Sequence, residues 1–149
     1  MKRIVTKLSV AMFVLMTSGC VVTNLSSEVD PNTDMDSLKT FYVVRQPNDR
    51  RGIEKMISDE LQSYGLTSNY GEAADAPSIV DSTVTYVDKW MWDLTNYLIE
   101  LTIDIRHPET QYKMASGISY RTSLARKSPE EMVKEVLGDI YGKQPTENN

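Results

Sequence analysis

Hydrophobic and polar positions recur along the chain with two different periods, and each period predicts an element. Ile53, Met56, Ile57, Leu61 and Tyr64 fall on one helical face, and Gly65 stands where a glycine ends a helix. Met132, Val133, Val136, Leu137, Ile140 and Tyr141 form a second helical stripe, ended by Gly142. It opens on Ser128-Pro129-Glu130-Glu131: a capping serine, a proline at the first helical position and a glutamate placed to reach back.

Period two takes over between these stripes. Phe41–Val44 is a short run of strand formers before the turn residues Gln46-Pro47-Asn48-Asp49. After a loop over 66–77, Ile79–Trp90 is rich in Val, Thr and Tyr. Tyr97, Ile99, Leu101, Ile103 and Ile105 then alternate with Leu98, Glu100, Thr102, Asp104 and Arg106, which predicts one buried and one wet face. Tyr112, Met114, Ile118 and Tyr120 alternate with Lys113, Ala115, Gly117, Ser119 and Arg121, and His107–Gln111 has the length of a hairpin loop. The predicted order is β-α-β-β-β-α. That makes an α+β two-layer sandwich, a mostly antiparallel four-stranded sheet with two helices on one face. The first strand and helix are expected to join it through a right-handed crossover. Residues 38–142 are expected to form one domain, since roughly 100 residues can supply an apolar core, and 143–149 a frayed tail.

The start of the chain has neither period. Leu8–Met16 is almost wholly apolar, preceded by Lys2, Arg3 and Lys7 and followed by the small residues Thr17, Ser18 and Gly19. That is a secretory signal over residues 1–19, too short for a membrane-spanning helix of about 20 residues. The only cysteine, Cys20, follows directly. Thr17-Ser18-Gly19-Cys20 resembles the lipobox of bacterial lipoproteins, with threonine where that motif usually has leucine. The resemblance implies acylation of Cys20, a mature chain that begins there, and the membrane as a partner. Val21 rather than aspartate after the cysteine implies the periplasmic leaflet of the outer membrane. Residues 20–37 then read as a lipidated N-terminus and flexible tether, polar and broken by Pro31. In organisation the chain resembles the small α/β lipoproteins of Gram-negative envelopes and, more distantly, the lipoprotein subunit of the lipopolysaccharide translocon.

Charge narrows the partners. The formal net charge is -5, and losing residues 1–19 removes three basic groups and no acidic one, which lowers it to -8. An acidic body without a basic tract is not built for nucleic acid or for electrostatic adhesion to anionic lipid. With Cys20 acylated, no thiol remains for a disulfide, so the fold must rest on its core.

Candidate chemistry is sparse. Asp30, Asn32, Asp34 and Asp36 have the alternate spacing of a calcium loop, but Met35 and Phe41 stand where it needs glycine and glutamate. His107 has no second histidine to complete a zinc site. Glu100 and Asp104 are four residues apart on a strand, about 13 Å and too far for a glycosidase pair. Glu130 and Glu131 are explained by the helix start. No metal, cofactor or catalytic residue is therefore expected.

Two binding candidates remain. Trp90 and Trp92, flanked by Asp88 and Asp93, point the same way at strand spacing and could stack on a sugar or take up a partner's apolar side chain. The plainer alternative is that both indoles close the core at a strand end. Arg50 and Arg51 sit where the first helix begins and could hold a phosphate or carboxylate, or simply be solvated. The expected function is that of a non-catalytic outer-membrane lipoprotein, an interaction or scaffold module docking onto an envelope protein. The alternative is a small-ligand module binding a glycan, lipid or peptide at Trp90 and Trp92.

Overall fold

The computed structural model describes residues 22–47 and 49–143. The expected signal peptide, Cys20 and residues 144–149 of the expected tail lie outside them. The strands and α-helices are β1 (Thr23–Val29), β2 (Thr40–Val44), α1 (Ile53–Ser63), β3 (Thr67–Gly71), β4 (Ser82–Asp93), β5 (Thr95–Arg106), β6 (Lys113–Arg121) and α2 (Pro129–Ile140). They build one sheet in the order β1-β6-β5-β4-β2-β3.

The expected four-stranded, mostly antiparallel sheet is thus a six-stranded mixed one. β1, β6, β5 and β4 run antiparallel to their neighbours, whereas β2 lies parallel to both β4 and β3. The two strands missing from the sequence reading are the two edges. β1 falls within the expected tether, yet Thr23 through Val29 pair with Arg121 through Ala115. β3 falls within the expected loop and pairs with β2. Neither carries an apolar stripe, because an edge strand buries little. In β1 only Leu25 packs against the core, and β3 is tied down by polar contacts, with the buried hydroxyls of Ser58 and Ser68 2.9 Å apart.

Both helices begin and end where their local residues dictate. In α2, Ser128 Oγ accepts from the Glu131 amide at 3.2 Å and Glu131 accepts from the Ser128 amide at 2.8 Å, a complete capping box. Gly52 precedes α1 without a capping side chain, and Asp49 serves instead, accepting from the Ile53 amide at 3.0 Å. Each helix closes on a left-handed glycine, Gly65 (φ 81°) and Gly142 (φ 62°). There the Leu66 and Lys143 amides reach back to the Leu61 and Gly138 carbonyls.

Both helices lie on one face over a single core. Ile53, Ile57 and Leu61 of α1 and Met132, Val136 and Leu137 of α2 are buried in one cluster with Phe41, Val43, Val84, Leu101, Ile103 and Ile105 of the sheet. Burying each such side chain contributes about 1.5–3 kcal/mol.

The structure corrects which face of two strands is covered. On β6 Met114 is buried as the alternation expects, but beyond it the buried face is the small one, with Ala115 and Ser119 fully covered and Ile118 and Tyr120 half-exposed on the open face. The reason is the close approach of α2, since a Cβ on Gly117 would meet Val136 Cγ1 at 2.8 Å. On β5 the alternation breaks at a bulge, where Lys89 pairs with Glu100 but Trp90 pairs with Leu98. Ile99 is the extra residue, so Leu98 turns to the core and Tyr97 and Ile99 do not stay buried with Leu101.

Candidate functional site

β4 and β5 are twelve residues each, longer than their neighbours can cover. β2 pairs with β4 only over Ser82–Val84, and β6 pairs with β5 only from Glu100 onward. Beyond the bulge the hairpin therefore projects as a two-stranded ribbon. Its turn residue is Leu94, at φ 58° and 89% exposed. A leucine in the left-handed region, with its apolar side chain in the open, is doubly unfavourable.

Isolated two-stranded ribbons are marginal, and side contacts hold this one. Arg126, from the segment after β6, donates to the Asp93 carbonyl and carboxylate at 3.1 Å and to Thr95 Oγ1 at 2.9 Å. Its guanidinium also lies 4.1 Å over the Tyr97 ring. At the base, Arg51 sits 3.9 Å over the Trp90 ring, whose indole N–H donates to Asp88 at 2.6 Å.

This separates the predicted residues. Trp90 is half-buried, packed against the core and clamped between Arg51 and Asp88. Trp92 continues the same strand face past the helices and is 73% exposed, so the indoles do not form a paired platform. Asp93 is engaged by Arg126. Arg51 joins the tryptophan region, which links the two binding candidates. Arg50 is exposed. The amides beside the arginines already serve Asp49, whose oxygens accept from the Arg51 amide at 2.6 Å and from the Ile53 amide. Burial pushes the Asp49 carboxyl up, but hydrogen bonds from Tyr86 and those amides outweigh it and hold it below the usual range.

Several other carboxylates are engaged by neighbouring groups. Glu100 pairs with Lys89 at 2.5 Å, and Asp104 pairs with Arg106 and Lys113 and accepts from Ser116. Glu135, buried between α2 and β6, pairs with Arg121 at 2.6 Å and with Lys127. Asp30 and Asp34 accept from the Asn32 and Asp36 amides in their own loop, and the His107 ring accepts from the Glu109 and Thr110 amides. Among the described residues no three His, Cys, Asp or Glu side chains converge as a metal site, and no helix is long and apolar enough to cross a membrane. Two clefts, of about 400 and 340 Å³, follow the β1–β6 seam past Glu28 and Ser116, and no ribbon residue lines either.

What sequence reasoning missed is the tip itself, Met91 and Leu94, together with Arg126 that braces it. The signal was present as a leucine between Asp93 and Thr95, where a turn would be expected to carry Gly, Asn or Asp.

No protein-family description and no curated protein matches the chain. Solved structures do share its fold. A PelC dodecamer from Paraburkholderia phytofirmans is similar at 12% identity with a TM-score of 0.60, over 80% of this chain and 98% of that one. A point variant of the same dodecamer gives 13% identity and a TM-score of 0.58, over 83% and 100%. A PDZ domain protein from Parabacteroides distasonis gives 12% identity and a TM-score of 0.52, over 93% of this chain and 39% of that one. At these identities the likeness establishes the fold alone.

Proposed function

We propose that the chain is a non-catalytic interaction module of the bacterial envelope, held to the outer membrane by a lipid on Cys20, with the β4–β5 ribbon as its contact element. The observation that carries this reading is the ribbon tip. Met91, Trp92 and Leu94 are exposed on an element that only its own hairpin partner and two arginines support. Folding alone does not require such a feature, and tryptophan is the residue most enriched where binding energy concentrates. The non-catalytic part is supported by the better-covered carboxylates Asp49, Glu100, Asp104 and Glu135, which are engaged in a cap and ion pairs rather than converging on open space. The small-ligand alternative has less support, because the indoles are separated and the clefts lie elsewhere.

In-cell photo-crosslinking tests the reading. A photoreactive residue replacing Trp92 should give an adduct with an envelope component, lipid or protein, that the same residue at Thr102, on the open sheet face, does not give. Self-adducts alone from position 92, with the fold intact, would overturn it.

A further inference from the structure

The end of the sheet at which the chain enters is the end at which the ribbon projects. Thr23 pairs with Arg121, and Tyr120 pairs with Glu100, so the start of β1, the end of β6 and the start of β5 lie together. Cys20 precedes Thr23 by three residues, a reach of at most about 10 Å. Leu94 lies five residues beyond Ile99, which is level with Arg121, and the ribbon therefore extends about 16 Å past the start of β1. Allowing for the roughly 20–25° rotation between neighbouring strands, the tip reaches about as far as a fully extended Cys20 backbone. At that level its apolar side chains would enter the headgroup–acyl boundary, where such groups sit about 5–10 Å deep.

The surface at this end has suitable chemistry. Val22, Met91, Trp92, Leu94 and Leu124 are all exposed there, the last 78% so, on the segment that follows β6. Arg126 and Arg51 flank the apolar tip, stacked on Tyr97 and Trp90, where their guanidinium groups would sit at headgroup level. Tryptophan is the residue most at home at that depth. The other exposed large side chains, Val29, Tyr70, Ile79, Val87 and Tyr112, lie outside the ribbon beyond the bulge.

From this we infer that the contact made by the ribbon tip is with the bilayer surface itself, Trp92 and Leu94 entering the membrane that carries the lipid on Cys20. The inference rests on the anchoring proposed above and names the partner of the same surface. Two points then fix the domain: the chain entry beside β6 and the ribbon tip two strands away. The body would stand upright with the β1–β6 clefts facing sideways. The contact is apolar, as an acidic chain requires, and so should not depend on salt.

The test uses the full chain, purified with its native lipid and reconstituted into phosphatidylethanolamine–phosphatidylglycerol vesicles whose acyl chains carry bromine. Trp90→Phe leaves Trp92 as the reporter, and Trp92→Phe leaves Trp90. Flotation of the native chain, with loss of flotation in Cys20→Ser, reads the anchor separately. The expected result is flotation with Trp92 emission quenched about threefold or more, unchanged by salt, and Trp90 emission little affected. Flotation with Trp92 unquenched overturns the inference while leaving the anchor standing, and a protein adduct from position 92 would then assign the tip to a protein. Failure of the native chain to float overturns the anchor and the inference together.

Discussion

The guanidinium carbon of Arg51 lies 3.9 Å from the centre of the Trp90 ring, so the start of α1 grips the base of the β4–β5 ribbon. Arg51→Ala should therefore lower stability by about 0.5–1 kcal/mol, the worth of an exposed cation–π contact. It should also shift the Trp90 emission. Arg50→Ala, at an exposed neighbour, should stay within about 0.5 kcal/mol of the parent. Urea unfolding followed by fluorescence distinguishes the two.

Leu94 holds a left-handed conformation that glycine adopts freely. Leu94→Gly should raise stability by about 0.5–1 kcal/mol in the same assay. It should also weaken the vesicle quenching of Trp92, so stability and membrane contact would move in opposite directions. An equal loss of both would show that Leu94 matters only to the fold.

Gly117 has no room for a methyl group between β6 and α2. Gly117→Ala should cost about 1–3 kcal/mol, because Val136 and Ile140 must shift inside a packed core. Thermal unfolding, with circular dichroism to confirm a retained fold, gives the value.

Glu135 links α2 to β6 through Arg121 and to the segment before α2 through Lys127. Burial pushes its carboxyl up, but Lys127 and Arg121 together outweigh this and leave it below the ordinary value of 4.5. Asp104 behaves alike, with burial opposed and overcome by Ser116, Arg106 and Lys113, so that it lies below 3.8. Because both values are depressed in the folded state, their stabilisation is present above the unfolded values and is lost as pH falls through the folded ones. Urea midpoints should thus hold from neutral pH down to about 5 and fall below about 4. Glu135→Gln should cost about 2–3 kcal/mol at neutral pH and show a smaller acid-dependent loss.

How much of this was legible in the sequence depends on how far each element's partners lie along the chain. Ser128 and Glu131 satisfy one another three residues apart, and Gly65 and Gly142 end their helices through contacts within one turn. Both helices were therefore readable from the residues inside them. β1 was not, because Thr23 takes its hydrogen bonds from a strand almost a hundred residues away and buries almost nothing. β3 was missed for the same reason, its buried contact being one serine on another.

For the candidate site, the sequence pointed to Trp90, Trp92, Asp88, Asp93, Arg50 and Arg51 but treated the aromatic and basic groups as separate. It could not say that Arg51 would lie on Trp90, nor that the bulge at Trp90 would redirect β5. A bulge is chosen by how the core closes around Leu98, and a projecting ribbon exists only because its neighbouring strands stop short.

By itself, then, the sequence determined what short-range hydrogen bonding and periodicity determine: the two helices with their apolar stripes, the capping box of α2, the glycines that end both helices, and the existence of the central strands. Tertiary structure decided the six-stranded mixed sheet, the small-residue face of β6, the parting of the two indoles and the direction in which the ribbon points. Those features depend on which distant backbone edge is left unpaired and on how closely a helix can approach a sheet. No local stretch of residues carries that information.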